Sequence, residues 1–415
     1  MGLRRANNQD AYAVSLAKTE EQWRSRGHLF LVADGMGAHA AGELASKLAA
    51  DAVPLTYAKL ADEPPAEAIR QAVEQANERI HERGQANAEF HGMGTTASTL
   101  LLLPAGALVA HVGDSRVYRQ RGQRLDQLTF DHSLVWEMAA GGALRDDQVS
   151  AFIPKNIITR SLGPGPKVEV DREGPFPLAF GDTFLLCSDG LTGQVTDEEL
   201  CGILASCPPD EAVRSLVDLA NLRGGPDNIT VIVARVVDPQ LVTKAAGSES
   251  LAPAGSATGA SKALLFGLAA AGLAAAGAVF FLAQMPAVAG LFGVAAVACL
   301  VGTVIASLAK RSVADNAVAA QPASGRFGRG PHRTCSCPPG ALLVDELASI
   351  SQQLQQAALE ERWSIDWQRF RSLDEAATKA AQEKHFETAV RTRCQSISFM
   401  MNELRSQRSR ERRVQ

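Results

Sequence analysis

The sequence predicts an α+β chain, strand-rich in its first half and helical at its end, and three observations predict it. Apolar runs such as Leu29–Ala33 in LFLVADGMGAH, and the alternation in ALVAHVGDSR, have the length and composition of buried strands. Between them lie two helical stretches, about residues 40–62 and 65–83; the second carries Ala68, Val73, Ala76 and Ile80 on one face and charges opposite. After Val237 the composition changes abruptly, first to a Gly/Ala/Ser/Pro linker, then to uncharged apolar sequence, and from Ala341 to helical sequence.

The first strand ends by presenting Asp34 ahead of glycines. Asp-Gly is a common turn dipeptide, and that reading suffices for one segment alone. The pattern recurs, however, with Asp114 in ALVAHVGDSR, Asp189 in DTFLLCSDGL and Asp227 in GGPDNITVIVARV. Carboxylates converging from strand ends repel one another and raise each other's pKa unless a cation lies between them. Oxygen-only donors, with no histidine pair or cysteine cluster beside them, suit a hard ion, so Mg2+ or Mn2+ is expected.

Eight segments carry a family resemblance: GLRRANNQD, VADGMGAHAAGE, GMGTTASTLLL, HVGDSRVY, LTFDHSLV, NIITRSLG, LLCSDGL and GGPDNITVIV. In this order they resemble the metal-dependent serine/threonine protein phosphatases of the 2C type, bacterial branch, over about Gly2 to Val237. The resemblance implies a four-layer α-β-β-α sandwich with two antiparallel sheets. It implies that Asp34 bridges two metal ions, that the carbonyl of Gly35 holds one of them, and that Asp189 and Asp227 hold the second. Asp114 resembles the residue that helps hold a third, weaker ion. Arg5 stands where the family grips the phosphate, and Asn228 follows its metal ligand as the family's asparagine does. Two cations roughly 3.5–4 Å apart polarise phosphoryl oxygens and make water acidic enough to attack phosphorus. No protein nucleophile is then required, and Arg5 supplies a planar, permanently charged fork.

Departures from the family pattern set further expectations. Gln9 stands where many members have a glutamate that reaches a metal through water, so the second ion is expected to bind more weakly; Gln9, Asp10 and Asn228 are expected behind the metal ligands rather than among them. Ala38 replaces a glycine, which stiffens the turn. Met36 occupies the position of a histidine proposed as general acid in eukaryotic members, leaving water or His39 to protonate the leaving group. The family's strand ahead of the first motif has no counterpart before Gly2, so a sheet edge is expected to be unpaired and Arg5 poorly anchored.

Other phosphatase chemistries are excluded by reading. None of the seven cysteines has an arginine six positions later, as a thiolate phosphatase needs, and the GDxHG and GNHE pair of calcineurin-like enzymes is missing. The kinase HRD signature is absent as well. A formal net charge of −4 argues against a nucleic-acid binder. Seven scattered cysteines fit a reducing compartment rather than a disulfide frame, and the CSC of Cys335 and Cys337 is too tight and isolated for a metal knuckle. No signal peptide is expected ahead of the motifs.

The remaining organisation follows from composition. Residues 1–238 are expected to be catalytic, 239–261 a linker, 262–311 a two-helix transmembrane hairpin, 312–340 a second linker, and 341–415 a helical domain with a basic tail. Residues 263–283 and 287–309 contain no charge, and each is long enough for a hydrocarbon core of roughly 30 Å. Lys262, Lys310 and Arg311 flank the pair, which places both flanks in the cytoplasm of a multi-pass protein of the bacterial inner membrane. Gly267, Gly272 and Gly277 would let the helices pack closely. Further on, AAQEKHFETAVRTRCQSIS resembles one unit of a tetratricopeptide repeat, with Phe386, Ala389 and Ile397 at packing positions, although such stacks normally need about three units. The function expected is metal-dependent hydrolysis of phosphoserine and phosphothreonine in cytoplasmic proteins, serine/threonine kinases among them, with two or three Mn2+ or Mg2+ ions. A pseudophosphatase, or a membrane-anchored scaffold that binds phosphoproteins, is the alternative.

Overall fold

Strands β1 (Asp10–Ser15) and β2 (His28–Met36) form the antiparallel hairpin that opens the chain, with α1 (Glu20–Arg26) in the connection. In the computed structural model, residues 4–5, 7–37, 40–140, 157–243, 327–338 and 340–414 are described. The chain divides into two units, Met1–Lys244 with Arg326–Gln415 and Ala245–Gly325, and the second lies outside the described residues.

The first sheet adds β3 (Gly94–Thr95), β4 (Ala97–Leu103), β5 (Gly106–Val112) and β8 (Asp171–Phe176), in the antiparallel order β1-β2-β4-β5-β8 with β3 beside β2. Every residue of β4 and β5 is buried, as continuous apolar strands between two layers must be. Their alternation divides the layers: Leu29, Leu31, Leu101 and Leu103 face one core, Phe30, Val32, Leu100 and Leu102 the other. The first core is closed by α2 (Ala41–Lys59) and α3 (Pro65–Ala86), whose small Ala45, Ala49, Ala72 and Ala76 are fully buried. Both helices match the sequence expectation.

The second sheet contains β6 (Arg116–Arg121), β7 (Arg124–Gln127), β9 (Thr183–Cys187), β10 (Val231–Arg235) and β11 (Arg333–Ser336), in the order β10-β9-β6-β7-β11. Val117, Leu128, Phe184 and Leu186 turn toward the first sheet and complete the central core. The opposite face is covered by α6 (Asp197–Ser206) and α7 (Pro209–Leu222). A capping box starts α6, where Thr196 and Glu199 satisfy each other's backbone N–H groups. Two short helices, α4 (Leu134–Ala140) and α5 (Asp189–Thr192), lie beside the sheet ends. Two antiparallel sheets flanked by helices are thus present.

The helical end consists of α8 (Ala341–Glu360), α9 (Trp367–Gln382) and α10 (Phe386–Val414). These helices do not stand apart. Leu347, Leu354, Val390, Ile397, Met400 and Met401 share one buried core with Leu200, Leu204, Leu216 and Leu219 of α6 and α7.

Two expectations need correction. Residues 333–336, expected within a linker, form β11 and pair with β7 from Arg333↔Gln127 to Ser336↔Arg124. Cys337 beside them is disulfide-bonded to Cys201 of α6, so the cysteines do not all stand reduced; the partner lies 136 residues away, beyond the reach of local pattern. The second correction concerns the membrane. Among the described residues no helix is long and apolar enough to cross one, which overturns the multi-pass inner-membrane placement. The stretches 263–283 and 287–309 themselves lie outside the described residues. Much of their apolar content is alanine and glycine, whose weak hydropathy makes uncharged length a poor guide to insertion.

Candidate active site

Asp34 is mounted inside β2 rather than in a turn, directly opposite Asp10 of β1 in the antiparallel register. Its backbone is held from the other side: the Asp34 N–H donates to the Thr96 hydroxyl at 2.9 Å, while the Thr95 hydroxyl and the Thr96 N–H donate to its carbonyl, each at 2.9 Å. Gly35 follows because there is no room for a side chain. A Cβ there would lie 2.1 Å from the Gly42 carbonyl oxygen and 2.5 Å from that of Gln9.

The other carboxylates arrive from separate elements. Asp114 follows β5 after Gly113, whose φ is +113° and whose Cβ would meet Thr96. Asp189 opens α5 at the end of β9, and Asp227 precedes β10. The loops bearing the last two touch at Gly190, where a Cβ would fall 1.9 Å from the Asn228 carbonyl oxygen. Ser188 donates to Asp10 Oδ2 at 2.8 Å, tying β1 to the Asp189 turn.

Electrostatics show that these groups converge. Burial pushes the Asp34 carboxyl well above the usual range, and the charges of Asp10, Asp189, Asp114 and Asp227 push it further. Burial, then Asp189 and Asp131, raise Asp114 to about 8. Asp10 and Asp189 are also raised, chiefly by burial. Three buried oxygens of this group, Asp10 Oδ1, Asp114 Oδ1 and Asp189 Oδ1, have no hydrogen-bond partner. Unpartnered buried carboxylate oxygens are costly, and hard divalent cations are the partners that such a donor set fits. Among the described residues no group of three acidic side chains closes into a finished cage, so the fit rests on donor chemistry and burial.

Arg5 and Asn228 knit the N-terminal segment to this cluster. Arg5 donates to the Pro226 carbonyl at 3.2 Å and to Asp227 Oδ2 at 2.7 Å, with its side chain 45% exposed. It is therefore anchored, contrary to expectation, because the loop before β10 supplies the acceptors. Buried Asn228 accepts from the Gln9 N–H at 2.8 Å and donates to the Asn7 carbonyl at 3.1 Å. Gln9 acts here through its backbone, whose carbonyl accepts from Gly35 N–H and the Ser46 hydroxyl. Met36 is half-buried at the end of β2; Ala38 and His39 lie outside the described residues.

Sequence reasoning missed the supports behind the carboxylates. Arg116 donates to both oxygens of Asp131 and to the Tyr118 hydroxyl. Gly113 N–H donates to His132 Nδ1 at 3.0 Å, and His132 Nε2 meets Asp171 at 3.0 Å, fixing the turn that carries Asp114. The segments HVGDSR and FDHS hold Gly113, Arg116, Asp131 and His132, while Tyr118 and Asp171 stand outside them, and nothing local links the partners.

With this geometry in view, comparison with known proteins is direct. Residues 4–219 match the model of the protein phosphatase 2C family. The protein phosphatase PhpP of Streptococcus pneumoniae is 37% identical over 238 residues, covering 56% of this chain and 92% of that protein. A serine/threonine phosphatase of Listeria monocytogenes is 39% identical over 210 residues, covering 49% of this chain and 83% of its own length. Among solved structures, the Mycobacterium tuberculosis serine/threonine phosphatase PstP/Ppp is 34% identical with a TM-score of 0.50, covering 57% of this chain and 95% of that one. The carboxylates of β2, of the turn after β5 and of α5 thus sit in the stretch that matches, with Asp227 just beyond it, and the chain belongs to the protein phosphatase 2C family of metal-dependent serine/threonine phosphatases.

Proposed function

We propose that this site hydrolyses phosphoserine and phosphothreonine in proteins, serine/threonine kinases among them, with two Mn2+ or Mg2+ ions as cofactor. The observation that carries the reading is the meeting of five aspartates from separate elements, three of them with orphaned buried oxygens. Asp34 and the Gly35 carbonyl, with Asp189 and Asp227, would hold two ions, and Asp114 a third. When bound, the ions polarise the phosphoryl oxygens and make water acidic enough to attack phosphorus.

The chain's own residues do the remaining work. Arg5, already paired with Asp227 at the exposed edge of the cluster, presents a planar fork to the phosphate oxygens. Asn228 and the Gln9 backbone keep that arginine's segment in register with the carboxylates. Asp10 and Ser188 fix the turn before Asp189. The thioether of Met36 has no proton to give, so the leaving oxygen takes its proton from water or from His39. In this reading residues 1–238 carry catalysis and the helices of residues 341–415 are an accessory layer.

The test is release of phosphate from a phosphothreonine peptide with Mn2+ titrated in. Wild type should show metal-dependent release, and Asp189→Asn should lower kcat/KM by at least about a hundredfold, the scale of losing a charge-stabilising group. Absence of release with metal binding intact would move the protein to the class of phosphoprotein binders.

A further inference from the structure

A cleft of about 1030 Å3 opens beside the carboxylates, lined by Asp114 and Asp189, by Trp136, by Glu198 at the start of α6, and by all four residues of β11. A phosphate and one side chain need far less space, since sites of roughly 300–1,000 Å3 enclose whole drug-sized ligands. The lining is rich in hydroxyl and charged groups, with Arg333 on one strand and Glu198 across from it on a helix. Such a surface suits a polypeptide chain, with its alternating donors and acceptors and its varied side chains.

The β11 wall is unusually well held. The Thr334 hydroxyl donates to Asp126 at 2.9 Å, and Glu173 of β8 accepts from Gly330 N–H at 2.7 Å and meets His332 Nε2 at 2.8 Å. Cys337 ties the end of the strand to Cys201 of α6. Exposure alternates along the strand, with Arg333 and Cys335 half-buried, Thr334 and Ser336 exposed, and Cys337 just beyond it buried. The Arg333 guanidinium lies 4.6 Å from the centre of the Trp136 ring, and Arg116 lies 5.6 Å from the same ring. Phe130 meets Trp136 edge-on at 5.4 Å. A flat aromatic surface gripped on several sides and set beside the reacting centre is a pre-organised contact surface.

We propose that β11 and the Arg333–Trp136 pair bind the polypeptide flanking the phosphorylated residue, so that this late segment of the chain sets preference for phosphoproteins over small phosphomonoesters. The proposal rests on the phosphatase reading above. Neither residue touches the reacting phosphate; both position the substrate chain.

Steady-state kinetics of the full chain on a phosphothreonine peptide and on p-nitrophenyl phosphate, with Mn2+, test the proposal. Arg333→Ala and Trp136→Ala should each raise KM for the peptide about five- to tenfold, the range of a desolvated cation–π contact. Peptide kcat, and kcat/KM for p-nitrophenyl phosphate, should stay within about twofold, because those contacts are not made in the small substrate. Trp136→Phe keeps an aromatic face and should recover most of the peptide KM. Parallel losses on both substrates, or no change on either, would overturn the proposal. If wild type hydrolyses neither substrate, the phosphatase reading fails on its own; fluorescence anisotropy of the labelled peptide on wild type and Arg333→Ala then decides the wall's role.

Discussion

At the scale of single residues, the site depends on groups that touch no substrate. Burial pushes the Asp171 carboxyl up, but the hydrogen bond and charge of His132, with Arg160, outweigh it and bring the group down to about 2. A carboxyl depressed below its unfolded value near 3.8 contributes stability that is present above that value and lost as pH falls toward 2. Wild type should therefore lose about 1–2 kcal/mol more than Asp171→Asn between pH 4 and pH 2, after allowance for partial exposure. Urea unfolding across that window measures the difference, and equal slopes would remove Asp171 from the account. Asp171 also shows why part of the site could not be read from sequence. Asp34, Asp114, Asp189 and Asp227 were legible because each borders an apolar run, the first three after it and Asp227 ahead of it, and sits next to glycine, serine or asparagine. Their supports, His132 with Asp171 and Arg116 with Asp131, meet only after the strands have paired. Even Gly35, legible as a turn glycine, serves another purpose: it permits the carbonyls of Gln9 and Gly42 to approach.

At the scale of elements, the pattern of legibility follows length and periodicity. The second early helix was readable because Ala68, Val73, Ala76 and Ile80 repeat over many turns, and all four are buried. β11 was not, because RTCS is short, carries no apolar alternation and takes its place only by pairing with a strand some two hundred residues earlier. Its position is fixed by long-range chemistry, above all the Cys201–Cys337 bond, which closes a loop of 136 residues. Closing so long a loop restricts the unfolded chain, and removal of such a link costs about 2–5 kcal/mol. Cys337→Ser, or reduction of wild type with dithiothreitol, should lower the denaturation midpoint accordingly. Reduction should have no further effect on the serine variant, and a wild-type midpoint indifferent to reductant would show that the bond contributes nothing to stability.

At the scale of the molecule, the family resemblance covered the two-sheet region and stopped short of the way the chain continues. The matched stretch spans 92% of the Streptococcus pneumoniae relative, so α8, α9 and α10 lie beyond the shared region. They could be foreseen as helical, but not as a layer fused to the catalytic core, since amphipathic periodicity does not reveal what an apolar face meets. Here that face meets α6 and α7: Leu200, Leu204, Leu216 and Leu219 are each no more than 1% exposed because α8 and α10 help to cover them. Charge pairs follow the same seam, with Arg391 on Glu211, Arg405 on Asp218 and Arg223 on Glu346. Asp218 is the most exacting of these, because burial raises its carboxyl and Arg405 is the group that offsets the cost. A chain ending at Thr243 should therefore expose a contiguous apolar surface, bind 8-anilinonaphthalene-1-sulfonate and melt well below the full chain, each uncovered leucine costing about 1.5–3 kcal/mol. It should still cleave p-nitrophenyl phosphate with Mn2+, because none of the five aspartates nor Arg5 lies in the removed part. Peptide KM should rise as it does on loss of Arg333, since β11 goes with the deletion. An unchanged melting temperature would mean that the helical layer packs without stabilising the phosphatase core.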